Sequence, residues 1–349
     1  MATVPTSTAK AATPKPVAAT AVAGGGLNVT KAAAAPAAPP KPVGPPFQIH
    51  SLGQYNRWLK LLGYGAYGSG KTRLMGSAAE VPQMRDVLFI DCEAGDLTIA
   101  TEDDKSYASS AAAYIDVIRV TSFRELARVQ EYLKVHCMYR DQGDVVALKA
   151  LEKKLWPEDQ YDPDKPARMY RTAIVDSLSE AETFSMYSIL GITDKTRLDD
   201  DVASAEWAEF KRNHSQIQRC IRGFRDLPMH ILMTAAAAYV QDDQKRMLWQ
   251  PALTGKLAKQ CQGFMDIVGF MYVTQGEQGK KIHNLQVQPT PRIDAKCRFS
   301  NFKANGWADA TLLKILTDVH LIDSTTMAKK ATPVSAPAVV AAPSTDELA

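Results

Sequence analysis

Short, nearly continuous apolar runs alternate with amphipathic stretches through the middle of the chain. VLFID (87–91), TAIVD (172–176), HILMT (230–234) and DIVGFMYV (266–273) are of strand length. Such runs suit strands buried on both faces. WLKLL (58–62) is a shorter run of the same kind, and 281–290 is a further strand candidate. Between them, 72–79 reads as a helix, and 122–135 carries Phe123, Leu126, Val129 and Leu133 near helical spacing. The stretch 203–224 reads as a long helix with Trp207, Phe210, Ile217 and Ile221 on one face. Strands separated by helical segments predict an α/β fold with a mainly parallel central sheet flanked by helices. The polar, proline-bearing stretch 151–169 reads as a surface insertion before the strand at 172–176.

The ends of the chain lack this pattern. Residues 1–46 are dominated by Ala, Pro, Thr and Gly, with Lys10, Lys15, Lys31 and Lys41 and no acidic residue. From 327 to 349 the chain is again low in complexity, with Asp346 and Glu347 near the tip. Such segments bury too little apolar surface to offset their ordering entropy, so both read as disordered tails, open to a protein partner. One folded domain is expected over 47–326. The net charge of +3 excludes a wholesale polycation but leaves room for a local basic groove. The five cysteines include no C-x-x-C pair, which points to reduced thiols rather than a disulfide scaffold or a zinc site. No apolar run reaches membrane-spanning length, and the N-terminus has no compact apolar core of a signal peptide. A cytoplasmic protein with no membrane partner is the expectation.

The candidate chemistry starts at GAYGSGKT (65–72), which follows one strand candidate and opens a helix. The pattern G-x-x-x-x-G-K-[ST] in that setting is a phosphate-binding loop. Gly65, Gly68 and Gly70 allow the backbone to curl so that the N–H groups of Ala66, Tyr67, Ser69 and their neighbours surround an anion. Lys71 reaches the β- and γ-phosphates, and Thr72 places its hydroxyl on Mg²⁺. ATP and Mg²⁺ are the implied substrate and cofactor. Asp176 ends an apolar strand, where a carboxylate faces the metal. Glu93 directly follows the strand at 87–91 and is the candidate to polarise water, with Asp91 as the competing carboxylate.

FIDCEAGD (89–96) resembles the strand of RecA-type recombinases that carries the catalytic glutamate, and IVDS (174–177) resembles their metal-binding strand. PALTGK (251–256) and the stretch from 207 into the strand at 230 are similar to further elements of the group. The nearest likeness is to phage-encoded RecA-like nucleotide-binding proteins, including single-strand annealing proteins built on a bare RecA core. That resemblance implies a RecA-like core, a bacterial host cytoplasm, and self-association into a ring or filament. In RIDAKCRFSNF (292–302) it implies that Lys296 and Arg298 reach the γ-phosphate of a neighbouring subunit. It makes Thr234 the sensor, although no Gln or His follows it until Gln241. It places single-stranded DNA on a loop at 239–250 through Lys245, Arg246 and Trp249, with Asp242 and Asp243 working against binding. The implied function is an ATPase that binds single-stranded DNA and assists annealing or recombination. A helicase-like or loader motor, and a nucleotide-gated scaffold with little catalysis, are the alternatives.

Overall fold

The computed structural model describes residues 58–100, 109–202, 204–241, 245–302 and 304–322. Every described residue belongs to one compact unit. The segments 1–46 and 327–349, and Asp242 and Asp243, lie outside the described residues.

The strands are β1 (Lys60–Gly65), β2 (Val87–Asp91), β3 (Ile115–Arg119), β4 (Thr172–Asp176), β5 (His230–Gln241), β6 (Met247–Pro251), β7 (Ile267–Gln275), β8 (Lys281–Gln286), β9 (Lys296–Cys297) and β10 (Gly306–Trp307). The helices are α1 (Lys71–Gly76), α2 (Leu97–Ala100), α3 (Ser109–Ala112), α4 (Phe123–Gln142), α5 (Val145–Lys153), α6 (Leu178–Leu190), α7 (Trp207–Arg225), α8 (Leu257–Gln262) and α9 (Leu312–Asp318). The strands form one sheet in the order β10-β8-β7-β1-β5-β4-β2-β3. From β7 to β3 all neighbours are parallel. β8 and β10 extend the β7 edge antiparallel, β6 folds back on β5, and β9 pairs with the start of β7.

Side chains alternate between the two faces of each strand. Leu62, Tyr64, Ile90, Val175 and Met233 join a core closed by Leu126 and Leu133 of α4, Leu178 of α6, Ile217 and Phe224 of α7, and Leu257 of α8. Leu61, Phe89, Ile174 and Leu232 join a second core closed by Leu74 and Met75 of α1 and by Leu312 and Ile315 of α9. Both faces are therefore covered, and the central strands read as unbroken apolar runs for that reason. Helix ends follow local rules. Ser122 Oγ accepts the N–H of Glu125 at the start of α4, and Gly143 ends that helix at φ 70°.

Three expectations need correction. The helix drawn from 203 begins at Trp207, and Trp207 is 82% exposed and Phe210 40%. Its buried stripe is Asn213, Ile217, Ile221 and Phe224, so the first turns run beyond the covered surface. The strand drawn to 290 stops at Gln286. The loop drawn over 239–250 is a hairpin instead: β5 continues to Gln241 and returns as β6.

At the edge where the parallel strands begin, two buried basic side chains are met by backbone. Lys60 Nζ donates to the carbonyls of Leu227 (2.8 Å) and Met229 (2.6 Å), and burial lowers its pKa to about 8. His230 Nδ1 accepts the N–H of Leu59 at 3.0 Å. Burial, then the charge of Lys60, lowers the His230 pKa to about 3. The folded protein thus keeps His230 neutral, whereas the unfolded chain protonates it below about pH 6.5. Its contribution is intact above that pH and is lost as pH falls towards the folded value. At pH 5 this group alone accounts for a loss of about 2 kcal/mol. Denaturant unfolding at pH 7 and pH 5 is expected to show a smaller acid loss in His230→Asn, whose amide oxygen keeps the acceptor. An equal loss in both proteins would exclude His230 as the source.

Candidate active site

β1 ends at Gly65 and the chain turns through 66–70 into α1. Gly68 and Gly70 sit at φ 74° and 91°, a region L side chains avoid. A Cβ on Gly65 would stand 2.5 Å from the carbonyl oxygen of Met271 and 2.7 Å from Ser69 Oγ. A Cβ on Gly70 would stand 2.5 Å from His283 Nδ1. The glycines in this loop are therefore required by backbone angle at two positions and by space at two. Lys71 is buried and turned back on the loop, its Nζ donating to the carbonyls of Gly65 (3.2 Å) and Ala66 (3.1 Å). Burial lowers its pKa, while Glu93 and Asp176 oppose that shift. Tyr67 stands 83% exposed at the loop's crest, its ring 5.5 Å from the Lys71 ammonium. Ser69 Oγ is buried with no hydrogen-bond partner.

Because β1, β5, β4 and β2 run parallel, their C-terminal ends gather around this loop. Asp176 ends β4 and is almost fully buried. Its Oδ2 accepts the Thr72 hydroxyl at 2.6 Å, and its Oδ1 accepts the Thr234 hydroxyl from β5. Burial raises the pKa of Asp176, and these two hydroxyl donors pull against it. Glu93 is exposed, just past β2, and its Oε1 accepts the hydroxyl of Ser177. Asp91 is fully buried and spends Oδ1 on the N–H groups of Glu93 (3.2 Å) and Gly95 (3.0 Å). Asp91 therefore shapes the loop that carries Glu93. Arg119, at the end of β3, lies 3.8 Å from Asp91 Oδ2 and 3.1 Å from Asp96. Beside these groups opens a cleft of about 520 Å³, lined by Tyr67, Glu93, Arg119, Glu180 and Phe184 among others.

This donor set fits Mg²⁺ with a phosphorylated ligand. Mg²⁺ keeps few protein ligands and takes the remainder from water and phosphate. Thr72 and Asp176 supply such a pair, and the carbonyl bonds of Lys71 are of a kind phosphate oxygens can replace. Among the described residues there is no cluster of three or more His, Cys, Asp or Glu for a self-contained metal site.

The other predicted residues lie elsewhere. Lys296 pairs with Val268 near the start of β7, and its Nζ donates to the carbonyls of Gln262 (2.6 Å) and Met265 (3.1 Å). Arg298 donates to the carbonyl of Gly263 (2.7 Å) and pairs with Asp266 (3.3 Å). Both cations are thus engaged within their own chain, at the edge where the parallel strands begin and away from its phosphate loop. Trp249 belongs to β6. Its ring packs 4.8 Å from Tyr239 and 5.8 Å from Phe270, and its carbonyl accepts the Tyr64 hydroxyl. Half-buried against the core, it is not a loop aromatic free to stack on a base. Lys245 and Arg246 are exposed at the hairpin turn. Ser177, Arg119 and His283 carry no sequence signal of their own, apart from Ser177 following the motif aspartate.

Gly70→Ala is expected to lose about 1–2 kcal/mol from the left-handed backbone alone, and to push against the His283 ring. Denaturant unfolding together with binding of a fluorescent ATP analogue checks this. An affinity drop of at least tenfold is expected, and unchanged affinity would show that the cradle tolerates a side chain.

Among the solved structures that the chain resembles, three at low identity are as follows. The flagellar accessory protein FlaH from Methanocaldococcus jannaschii shares 11% identity over 71% of this chain and 83% of that one, with TM-score 0.32. The RadB recombinase shares 15% over 71% and 84%, with TM-score 0.33. A KaiC-like protein from Pyrococcus horikoshii OT3 shares 12% over 71% and 84%, with TM-score 0.36. No curated protein matches the chain. Its own mostly parallel sheet gathers the glycine loop and the carboxylates at the strands' C-terminal ends, the layout of a P-loop NTPase core. The sequence profile of the AAA domain family matches residues 57–299, and the chain belongs to that family.

Proposed function

We propose that this protein is a Mg²⁺-dependent ATPase in which Glu93 acts as general base. The observation that carries this reading is the Asp176 carboxylate, held between Thr72 and Thr234 with Glu93 beside it. Lys71 exchanges the carbonyls of Gly65 and Ala66 for the phosphates of ATP. Thr72 and Asp176 hold Mg²⁺, which when bound neutralises phosphate charge. Ser177 fixes one oxygen of Glu93, and the other takes the proton of the attacking water. Asp91 keeps the Glu93 loop in place through its N–H groups.

Single-stranded DNA is the partner we propose, on the β5–β6 hairpin. Lys245 and Arg246 stand at its turn, and Tyr239 is 48% exposed along it. Cations there meet phosphates, and the tyrosine offers a stacking face. After Thr234, β5 stays in the sheet through four alanines, so little DNA stimulation of hydrolysis is expected. Assembly that hydrolyses in trans through Lys296 and Arg298 first requires both to release their carbonyls.

Steady-state ATP hydrolysis tests the assignment. Glu93→Gln is expected to lower kcat about 100-fold or more, the scale of a general base, with KM within about threefold. Lys71→Ala is expected to abolish nucleotide binding. Turnover by Glu93→Gln at the wild-type rate would refute the base. For DNA, fluorescence anisotropy with a labelled oligonucleotide is expected to show binding that weakens with salt and with Lys245→Glu. No binding at low salt would remove DNA as the partner.

A further inference from the structure

His283 lies on β8, far along the chain from the phosphate loop, yet its Nδ1 is 2.9 Å from the carbonyl oxygen of Ser69. A carbonyl oxygen can only accept, so Nδ1 carries the proton and donates. The ring also lies against the Cα of Gly70, where any side chain would collide with it. We propose that His283 is a positioning residue that presets the phosphate loop for anion capture, and this rests on reading that loop as the nucleotide site. In a trans peptide, the C=O of one residue and the N–H of the next point in opposite directions. Drawing the Ser69 carbonyl towards β8 therefore aims the Gly70 N–H away from β8. That peptide group cannot flip while the His283 bond is made.

The anchor is itself firmly held. His283 pairs with Val273 across the β7–β8 ladder, and its carbonyl accepts the N–H of Ala310 just before α9. Next to it, Asn284 donates to Thr274 Oγ1 at 2.9 Å. The loop thus borrows its shape from an antiparallel hairpin outside the strand-loop-helix unit. A flexible loop must be ordered when it binds, and a loop ordered beforehand binds more tightly.

Two variants separate the hydrogen bond from packing. His283→Asn keeps a donor near Nδ1, whereas His283→Leu keeps bulk without one. In the ligand-free protein, hydrogen exchange of the amides in 66–72 is expected to be several-fold faster in His283→Leu and near wild type in His283→Asn. The Kd for Mg-ATP is expected to rise about tenfold in His283→Leu, with kcat at saturation within about threefold. Wild-type exchange and affinity in His283→Leu would overturn the proposal. So would equal impairment in His283→Asn, which would leave a packing role only. The exchange arm uses no nucleotide. It decides the His283 role even if wild-type protein takes up no ATP, an outcome that would instead refute the ATPase reading.

Discussion

The buried carboxylate of Asp176 joins three elements at one point. Its two oxygens are taken by hydroxyls from α1 and β5, while its backbone belongs to β4. A carboxylate removed from water is costly unless it is paired or hydrogen-bonded. Here burial raises the proton affinity of Asp176 and the two threonines work against that rise. The site tolerates its charge only when helix, loop and sheet are all assembled. In the proposed reading a cation held by Thr72 and Asp176 would supply the remaining compensation, which ties metal affinity to local order.

The two ends of the parallel strands solve opposite problems. Where the strands begin, Lys60, Lys296 and Arg298 are spent on carbonyls of their own chain, and His230 is kept neutral. Cations with satisfied donors close an edge. Where the strands end, Tyr67 and Glu93 remain exposed, Ser69 Oγ is buried without a partner, and Lys71 leans on replaceable carbonyls. That asymmetry follows from parallel pairing, which puts every strand's C-terminal end and following loop on one side.

Elements that meet the core on both faces were legible from composition alone. β2 and β4 appear with their residue bounds unchanged, because all of their residues are buried and all are apolar except Thr172 and the two terminal aspartates. β3 was not legible. Among the described residues it is an edge strand with mixed burial, paired to β2 alone, so its residues carry little pattern. Trp249 was misplaced because MLW (247–249) is too short an apolar run to tell a hairpin strand from a loop. The phosphate loop, Asp176 and Glu93 stood out in the sequence for a different reason, since each lies at or just past the C-terminal end of a strand.

Local backbone preferences were written in the chain itself: a left-handed turn favours glycine, a buried strand favours an apolar run, and a helix start favours a cap. Contacts across long stretches of chain were not. Thr72 and Asp176 meet across 104 residues, and Ser69 and His283 across 214. Such partners are chosen by strand order and register, and no local preference encodes those. Folding alone set which carboxylate holds the threonines, which strand anchors the loop, and that Lys296 and Arg298 turn to their own chain.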